Sequence, residues 1–420
     1  MKNSMRYTLL LFLSMVILYP SLAQWSRSGD LDGRMVNEFL VKDSLLFVGT
    51  DGGVFRSTDN GSTWTQLNNG LTDTMIVALA AADTLIFAGS WVEGVYQSSD
   101  NGLTWTRVTQ GMTDTFISDL LISGPHIFAG TEDGGGIFRR LITGTTWAEI
   151  TSGLFGHDGI VLSSFVNSTA DTTIYLGDDN SIIFRSTNKG IEWEHALPSF
   201  PEAGIGALIT VPHNNSAFLL AGTYRGILRS AVTDTMWIQK NNGLMDTMVY
   251  SLTTASDDSG GITLFAGTEN GGVYQSIDFG ETWSSLDSGF STLRINALTI
   301  AQGYIFAGLD SGVWKRSLSQ VVTSARSVRI EVPTEFILEQ NYPNPFNPST
   351  VISYQLPVNS HITLKVYDVI GREVATLVNE VKEAGRYSTQ FDGTKLSSGI
   401  YVARLQSGGK VQLKKMLLLK

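Results

Sequence analysis

The segment LFVGTDGGVFRSTDNGSTW, Leu46 to Trp64, returns twice at nearly full strength: IFAGSWVEGVYQSSDNGLTW from Ile86 to Trp105, and LFAGTENGGVYQSIDFGETW from Leu264 to Trp283. Weaker copies end at Trp147, Trp193 and Trp237, and a seventh, IFAGLDSGVWKRS from Ile305, stops before its tryptophan. The anchoring glycines are Gly49, Gly89, Gly130, Gly177, Gly222, Gly267 and Gly308, spaced 40, 41, 47, 45, 45 and 41 residues apart. A period near 42 with several short strands per unit predicts a β-propeller. Each unit reads as a four-stranded meander. An apolar strand comes first, the second ends at the glycine, the third is Val54-Phe55-Arg56-Ser57 or its equivalent, and the fourth is expected to carry the tryptophan.

The seventh unit lacks its last strand, and the N-terminal region offers one. Trp25 precedes Trp64 by 39 residues, close to one period, and Gly29-Asp30-Leu31 follows it much as Gly70-Leu71 follows Trp64. The expectation is an all-β, seven-bladed propeller over residues 24–317, closed by an N-terminal strand that completes the last blade and removes the exposed sheet edges.

Ser57-Thr58-Asp59-Asn60-Gly61-Ser62-Thr63-Trp64 recurs as Ser98 to Trp105 and Ser276 to Trp283, with a degraded copy from Ser186 to Trp193. It resembles the Asp-box, or bacterial neuraminidase repeat, S-x-D-x-G-x-T-W. The expected structural residues are Asp59, Gly61 and Trp64; Asp100, Gly102 and Trp105; and Asp278, Gly280 and Trp283. A carboxylate accepts backbone N–H bonds across a turn, glycine supplies positive φ, and tryptophan packs between blades. The resemblance implies relatives among sialidases, xyloglucanases, sortilin-type receptors and photosystem II assembly-factor-like proteins. It implies the fold more firmly than a function. A sialidase would carry a Phe-Arg-Ile-Pro motif and six blades. That motif is absent here, although Arg34, Arg225 and Arg294 map to one face.

In a meander, the second-to-third turns and the connections between blades share the face opposite the Asp-boxes. The turns place Asp51, Trp91, Glu93, Glu132, Asp133, Asp178, Asp179, Tyr224, Arg225, Glu269 and Asp310 there as ligand-binding candidates. The connections add Asp73, Asp114, His157, Asp158, Asp246 and Arg294. Trp91 and Tyr224 are suited to stacking on a sugar. A pair of these carboxylates held about 5–9.5 Å apart would suit glycoside hydrolysis. No catalytic residue is assigned.

The chain has 420 residues, 29 Lys+Arg, 39 Asp+Glu, 43 Gly, 10 Pro and no Cys. Disulfides, cysteine-ligated metals and thiol nucleophiles are therefore excluded. The five histidines form no i,i+4 pair, so neither a metal site nor a cofactor is expected. The net charge of −10 is concentrated in the repeats and argues against nucleic acid as a partner.

Both ends read as addresses. Lys2 and Arg6, the apolar run Leu9 to Leu18, and Ser21-Leu22-Ala23 make a signal peptide over residues 1–23. No later run is long enough for a membrane span. After a linker at 318–335, the segment Gln340-Asn341-Tyr342-Pro343-Asn344-Pro345-Phe346-Asn347-Pro348-Ser349-Thr350 opens a region of alternating strands that includes LKVYDVIGREVATLV from Leu364 and terminal KKMLLLK from Lys414. About seven short strands fit a small Ig-like β-sandwich over residues 336–420. The segment resembles the type A C-terminal sorting domain of the type IX secretion system. The resemblance implies the secretion machinery as a partner and a location outside the cell or on the outer-membrane surface. Together these features point to an exported propeller that binds or adheres to a carbohydrate or protein. The alternative is a xyloglucanase- or sialidase-like glycoside hydrolase.

Overall fold

The computed structural model describes residues 24–321 and 335–419, apart from 32, 133–134, 153, 155–160, 167–171, 198–202, 214–215, 233–236, 258–260, 287–289, 291–293, 342 and 383. The expected signal peptide, Asp133, His157, Asp158 and most of the expected linker lie outside the described residues. No described helix is long and apolar enough to cross a membrane.

Seven four-stranded antiparallel sheets follow the repeat. Their inner strands are Val36–Lys42, Ile76–Ala82, Ile117–Ser123, Val161–Val166, Ile205–His213, Val249–Ser256 and Ala297–Ala301, which define blades 1 to 7. Each inner strand contacts the next, and that of blade 7 contacts that of blade 1, so the circle is closed. The outermost strand of blade 7 is Ser26–Arg27, which pairs with Gly312–Ser317 in the register Ser26↔Lys315. The N-terminal strand thus closes the ring as the sequence predicts. The fourth strand, expected to carry the tryptophan, starts just after that residue, at Thr65–Gln66 in the first unit. A short 3₁₀ turn, Leu318–Gln320, brings Val321 into the apolar core of blade 7.

The repeated glycine and tryptophan each join neighbouring blades. A Cβ on Gly49, Gly89, Gly177, Gly222, Gly267 or Gly308 would lie 2.5–2.8 Å from the Ile or Val side chain that opens the next blade. The glycine therefore makes room for a β-branched side chain at each seam, and Gly308 does so for Val36 across the closure. The seven tryptophans act in the opposite direction around the ring. Trp25, Trp64, Trp105, Trp147, Trp193, Trp237 and Trp283 each donate an indole N–H to a backbone carbonyl at the end of the preceding blade, over 2.6–3.2 Å. An indole packed in an apolar seam needs such an acceptor.

The turns before Trp64, Trp105 and Trp283 share one hydrogen-bond pattern. In the first, Asp59 accepts from Ser57 Oγ, Thr63 N–H and Thr63 Oγ1 at 2.7–2.8 Å, while Ser57 Oγ accepts from Gly61 N–H. These donors hold the Asp59 and Asp100 carboxyls down at about 2. Asn60 takes positive φ, which turns its carbonyl outward to accept from Lys315 of blade 7. Arg56, Arg139 and Arg229 reach the equivalent carbonyls of Asn101, Lys189 and Phe279. Each turn thus gives a neighbouring basic side chain an inter-blade acceptor.

The C-terminal unit has seven strands in two sheets. Ile337–Leu338, Ser349–Leu356 and Gly385–Asp392 form one; Glu373–Lys382, Ser360–Asp368, Gly399–Ser407 and Lys410–Leu418 form the other. Ile352, Leu364, Val366, Leu405 and Met416 fill its core. The Asn/Pro-rich opening is stapled to the last strand. Phe346 N–H donates to Leu417 O, Leu419 N–H to Phe346 O, and Leu417 N–H to Asn344 Oδ1.

Candidate functional site

The propeller axis holds a cup of about 680 Å³ that opens on the face of the second-to-third turns. Its shape follows from strand register. The residue paired with the anchor glycine is Glu38, Ala78, Asp119, Val161, Ala207, Ser251 or Ala297 in blades 1 to 7. The residue after it is Phe39, Leu79, Leu120, Leu162, Leu208, Leu252 or Leu298, and each of these is only 6–7% exposed. Six leucines and a phenylalanine thus ring the axis, and the six leucines line the floor of the cup. In five blades a bulge interrupts the ladder just above this level and turns an extra residue, such as Asn37 or Tyr250, toward the axis.

Above the floor lies a polar belt with two carboxylates. Glu38 Oε1 accepts Phe39 N–H at 2.8 Å. Asp119 accepts Leu120 N–H and, from the next blade, Leu162 N–H, both at 2.7 Å. Ser251 Oγ accepts Leu298 N–H in the same cross-blade manner. Inner strands have no sheet neighbour on the axial side, so these side chains satisfy N–H groups the ladder leaves open. Both carboxylates keep part of their surface open to the cup, but protein walls surround the opening. Burial, reinforced by the Asp119 charge, pushes Glu38 up to about 8. Burial pushes Asp119 up to about 7 against the pull of its two N–H donors.

The rim is aromatic and charged. Trp91 lines the mouth with its ring edge-on to Phe116 at 6.5 Å, and is 41% exposed. Across the ring, Tyr224 and Tyr250 lie 5.6 Å apart, and the Arg294 guanidinium sits 5.2 Å over the Tyr250 ring. Tyr250 donates its hydroxyl to Glu269, and burial together with that carboxylate pushes it up to about 12. Arg294 Nε donates to Asn296, whose amide donates to Asp310. The charges of Asp179, Glu132 and Glu269 help raise Tyr224, after its own burial.

The sequence-selected residues thus fall into two groups. Trp91 and Arg294 line the mouth; Tyr224 and Glu269 stand behind it against Tyr250, and Asp310 against Asn296, with Glu132 and Asp179 near Tyr224. The others lie in structural contacts. Asp73, Asp114 and Asp246 each accept the N–H two residues on, and Asp73 and Asp246 also hold the adjacent second-to-third turn through Val92 and Asn270. Asp178 is fully buried and accepts Ile182 N–H. Glu93 pairs with Arg107 at 2.5 Å, Asp51 lies 3.9 Å from Arg34, and the Arg225 carbonyl accepts Gln239 and Asn241. Sequence reasoning missed Glu38, Ser118, Asp119, Tyr250 and Asn296. A signal existed: Glu38 and Asp119 each stand 11 residues before their anchor glycine, where other blades carry Ala, Val or Ser. No group of three or more potential metal ligands occurs among the described residues.

Residues 340–419 match the family model of the secretion system C-terminal sorting domain. No curated protein matches the chain. Among solved structures, it is similar to PorZ, a surface component of the type-IX secretion system of Porphyromonas gingivalis, at 15% identity and TM-score 0.50 over 91% of this chain and 59% of that one. It is similar to the GH74 enzyme of Niastella koreensis at 15% identity and TM-score 0.55 over 68% and 43% of the two chains. It is also similar to the extracellular domain of a hybrid two component system of B. thetaiotaomicron at 12% identity and TM-score 0.56, over 94% and 57%. The chain thus spans 43–59% of the length of these neighbours. Likeness at such identities establishes the propeller fold alone.

Proposed function

This chain is a β-propeller that carries a type IX secretion sorting domain and is exported to the cell surface, and from that premise we propose that it is a non-catalytic binding module for an extracellular carbohydrate. Residues 1–23 serve as its export signal, and the Asp-box turns serve the ring rather than the ligand. The carrying observation is the cup: aromatic and cationic groups gather at its mouth, above a polar belt and an apolar floor. Aromatic faces over a concave, partly apolar pocket suit the alternating hydroxyl and C–H faces of a sugar.

Hydrolysis is the rival reading. Glu38, protonated at neutral pH, has the state a general acid needs. Against it, Asp73, Asp114, Asp178 and Asp246 among the turn and connection carboxylates hold loops in place. One experiment separates the readings. The protein is applied to a glycan array, and hits are incubated for product formation. Binding without turnover, lost in Trp91→Ala and Tyr224→Ala, supports the module. Turnover abolished by Glu38→Gln supports the hydrolase, and no glycan signal refutes both.

A further inference from the structure

The carboxylates in the belt have no explanation in the repeat. The seven positions opposite the anchor glycines hold two acids, three alanines, a valine and a serine, and the acids fall in blades 1 and 3, both facing one axis. Turn aspartates recur because the unit recurs; Glu38 and Asp119 do not. Their hydrogen-bond donors are three backbone amides, of Phe39, Leu120 and Leu162. Among the described residues, the titratable groups lining the cup are Glu38, Asp119, Tyr250 and Arg294. Arg294 is engaged at the rim with Asn296 and Tyr250, and no cation is among the groups that shift either acid. A second, independent feature lies beside them. Ser118 Oγ, next in sequence to Asp119 and lining the cup, is buried without a hydrogen-bond partner.

Two enclosed carboxyl groups that no cation among the described residues lowers are costly to ionise. An ammonium group supplies one positive charge and three donors, which match Glu38, Asp119 and Ser118 Oγ in number. We propose that the cup selects a ligand bearing a protonated primary amine, specifically an amino-sugar residue, with the amine held by Glu38, Asp119 and Ser118 and the sugar ring against the aromatic rim. This rests on the carbohydrate-binding reading and adds the charge of the ligand to it. The sugar is favoured over a lysine side chain because the rim presents exposed ring surface at Trp91 and Tyr224, which an extended alkyl chain leaves uncovered. The raised acids add a pH signature. Proton loss from Glu38 and Asp119 strengthens the site, whereas proton loss from the sugar ammonium weakens it, so affinity passes through a maximum near neutral pH and falls on either side.

The test is calorimetry on the full chain lacking residues 1–23, with fully deacetylated chitooligosaccharide, its N-acetylated counterpart and a lysine-containing peptide. The expected result is binding of the deacetylated oligomer, at least tenfold weaker binding of the acetylated one, and at least a tenfold loss of deacetylated binding in Glu38→Gln and Asp119→Asn. Thermal melts of both variants at pH 7 check that they remain folded, and Ser118→Ala provides a milder third variant. Equal affinity for the two oligomers, still lost in Trp91→Ala, overturns the amine preference and leaves carbohydrate binding standing. Preference for the peptide overturns the amino-sugar assignment. Absence of binding to any glycan removes the underlying reading as well.

Discussion

Replacing Trp25 with alanine should damage the ring far more than its distance in sequence from the last blade suggests. The indole is 2% exposed, donates to Leu286 O at 2.8 Å and lies 4.6 Å from the Phe290 ring, which in turn packs on Trp314. Truncating a buried tryptophan costs about 3–5 kcal/mol. The Leu286 carbonyl keeps a second donor, Arg316 Nη1 at 3.0 Å, so no orphaned acceptor adds to that cost. The expectation is therefore about 3–4 kcal/mol by urea denaturation followed by circular dichroism. Trp91→Ala, at a rim position that is 41% exposed, provides the comparison and should cost under about 1 kcal/mol. Deleting residues 24–31 should go further, exposing the Gly312–Ser317 strand as an edge and causing concentration-dependent association. A Trp25→Ala cost below about 1 kcal/mol, or one no larger than that of Trp91→Ala, would refute closure by the N-terminal strand.

The other predictions concern the turns, the belt and the seams. Asp59 is held at about 2, below its ordinary 3.8, so its contribution is present above pH 4 and lost as pH falls through 2; acid titration of Asp59→Asn should show a weaker loss of stability across that window. Glu38 shifts the other way. The native state keeps a proton that the unfolded chain releases above about 4.5, so stability falls as pH rises toward 8, and Glu38→Gln should flatten that decline in melts from pH 5 to 9. The full shift would correspond to roughly 5 kcal/mol, a ceiling that water in the cup reduces. Gly308→Ala would press a methyl group to 2.6 Å from the buried Val36 and should cost about 1–3 kcal/mol in denaturant melts, whereas Gly399→Ala, with only Ser397 O at 4.0 Å, should stay within about 0.5 kcal/mol.

The ring was legible because each blade must solve the same packing problem. A glycine admits the next blade's Ile or Val, and an indole reaches back to the previous blade, so both recur at the period. Trp25 was legible as the missing seventh member for the same reason. The site was harder to read because repetition works against it. Asp73, Asp114 and Asp246 drew attention by recurring, yet Asp-Thr followed by an amide two residues on is the pattern of a side chain holding its own loop. Glu38 and Asp119 passed unnoticed on inner strands, where each is one of several polar residues set between apolar neighbours such as Val36 and Phe39 or Ile117 and Leu120. Their direction depends on the bulge that precedes them, and a one-residue shift of register reverses which side chains face the axis. Departure from the repeat, rather than the repeat itself, marks them.

Met35 and Met75 line the cup, whereas Met245 stands 94% exposed on the surface. Methyl-labelled methionine NMR therefore reports directly on where a ligand sits. Titration with a glycan hit should shift the Met35 and Met75 methyl resonances saturably and leave Met245 unmoved. Saturable binding that leaves Met35 and Met75 unchanged would contradict the axial cup as the binding site.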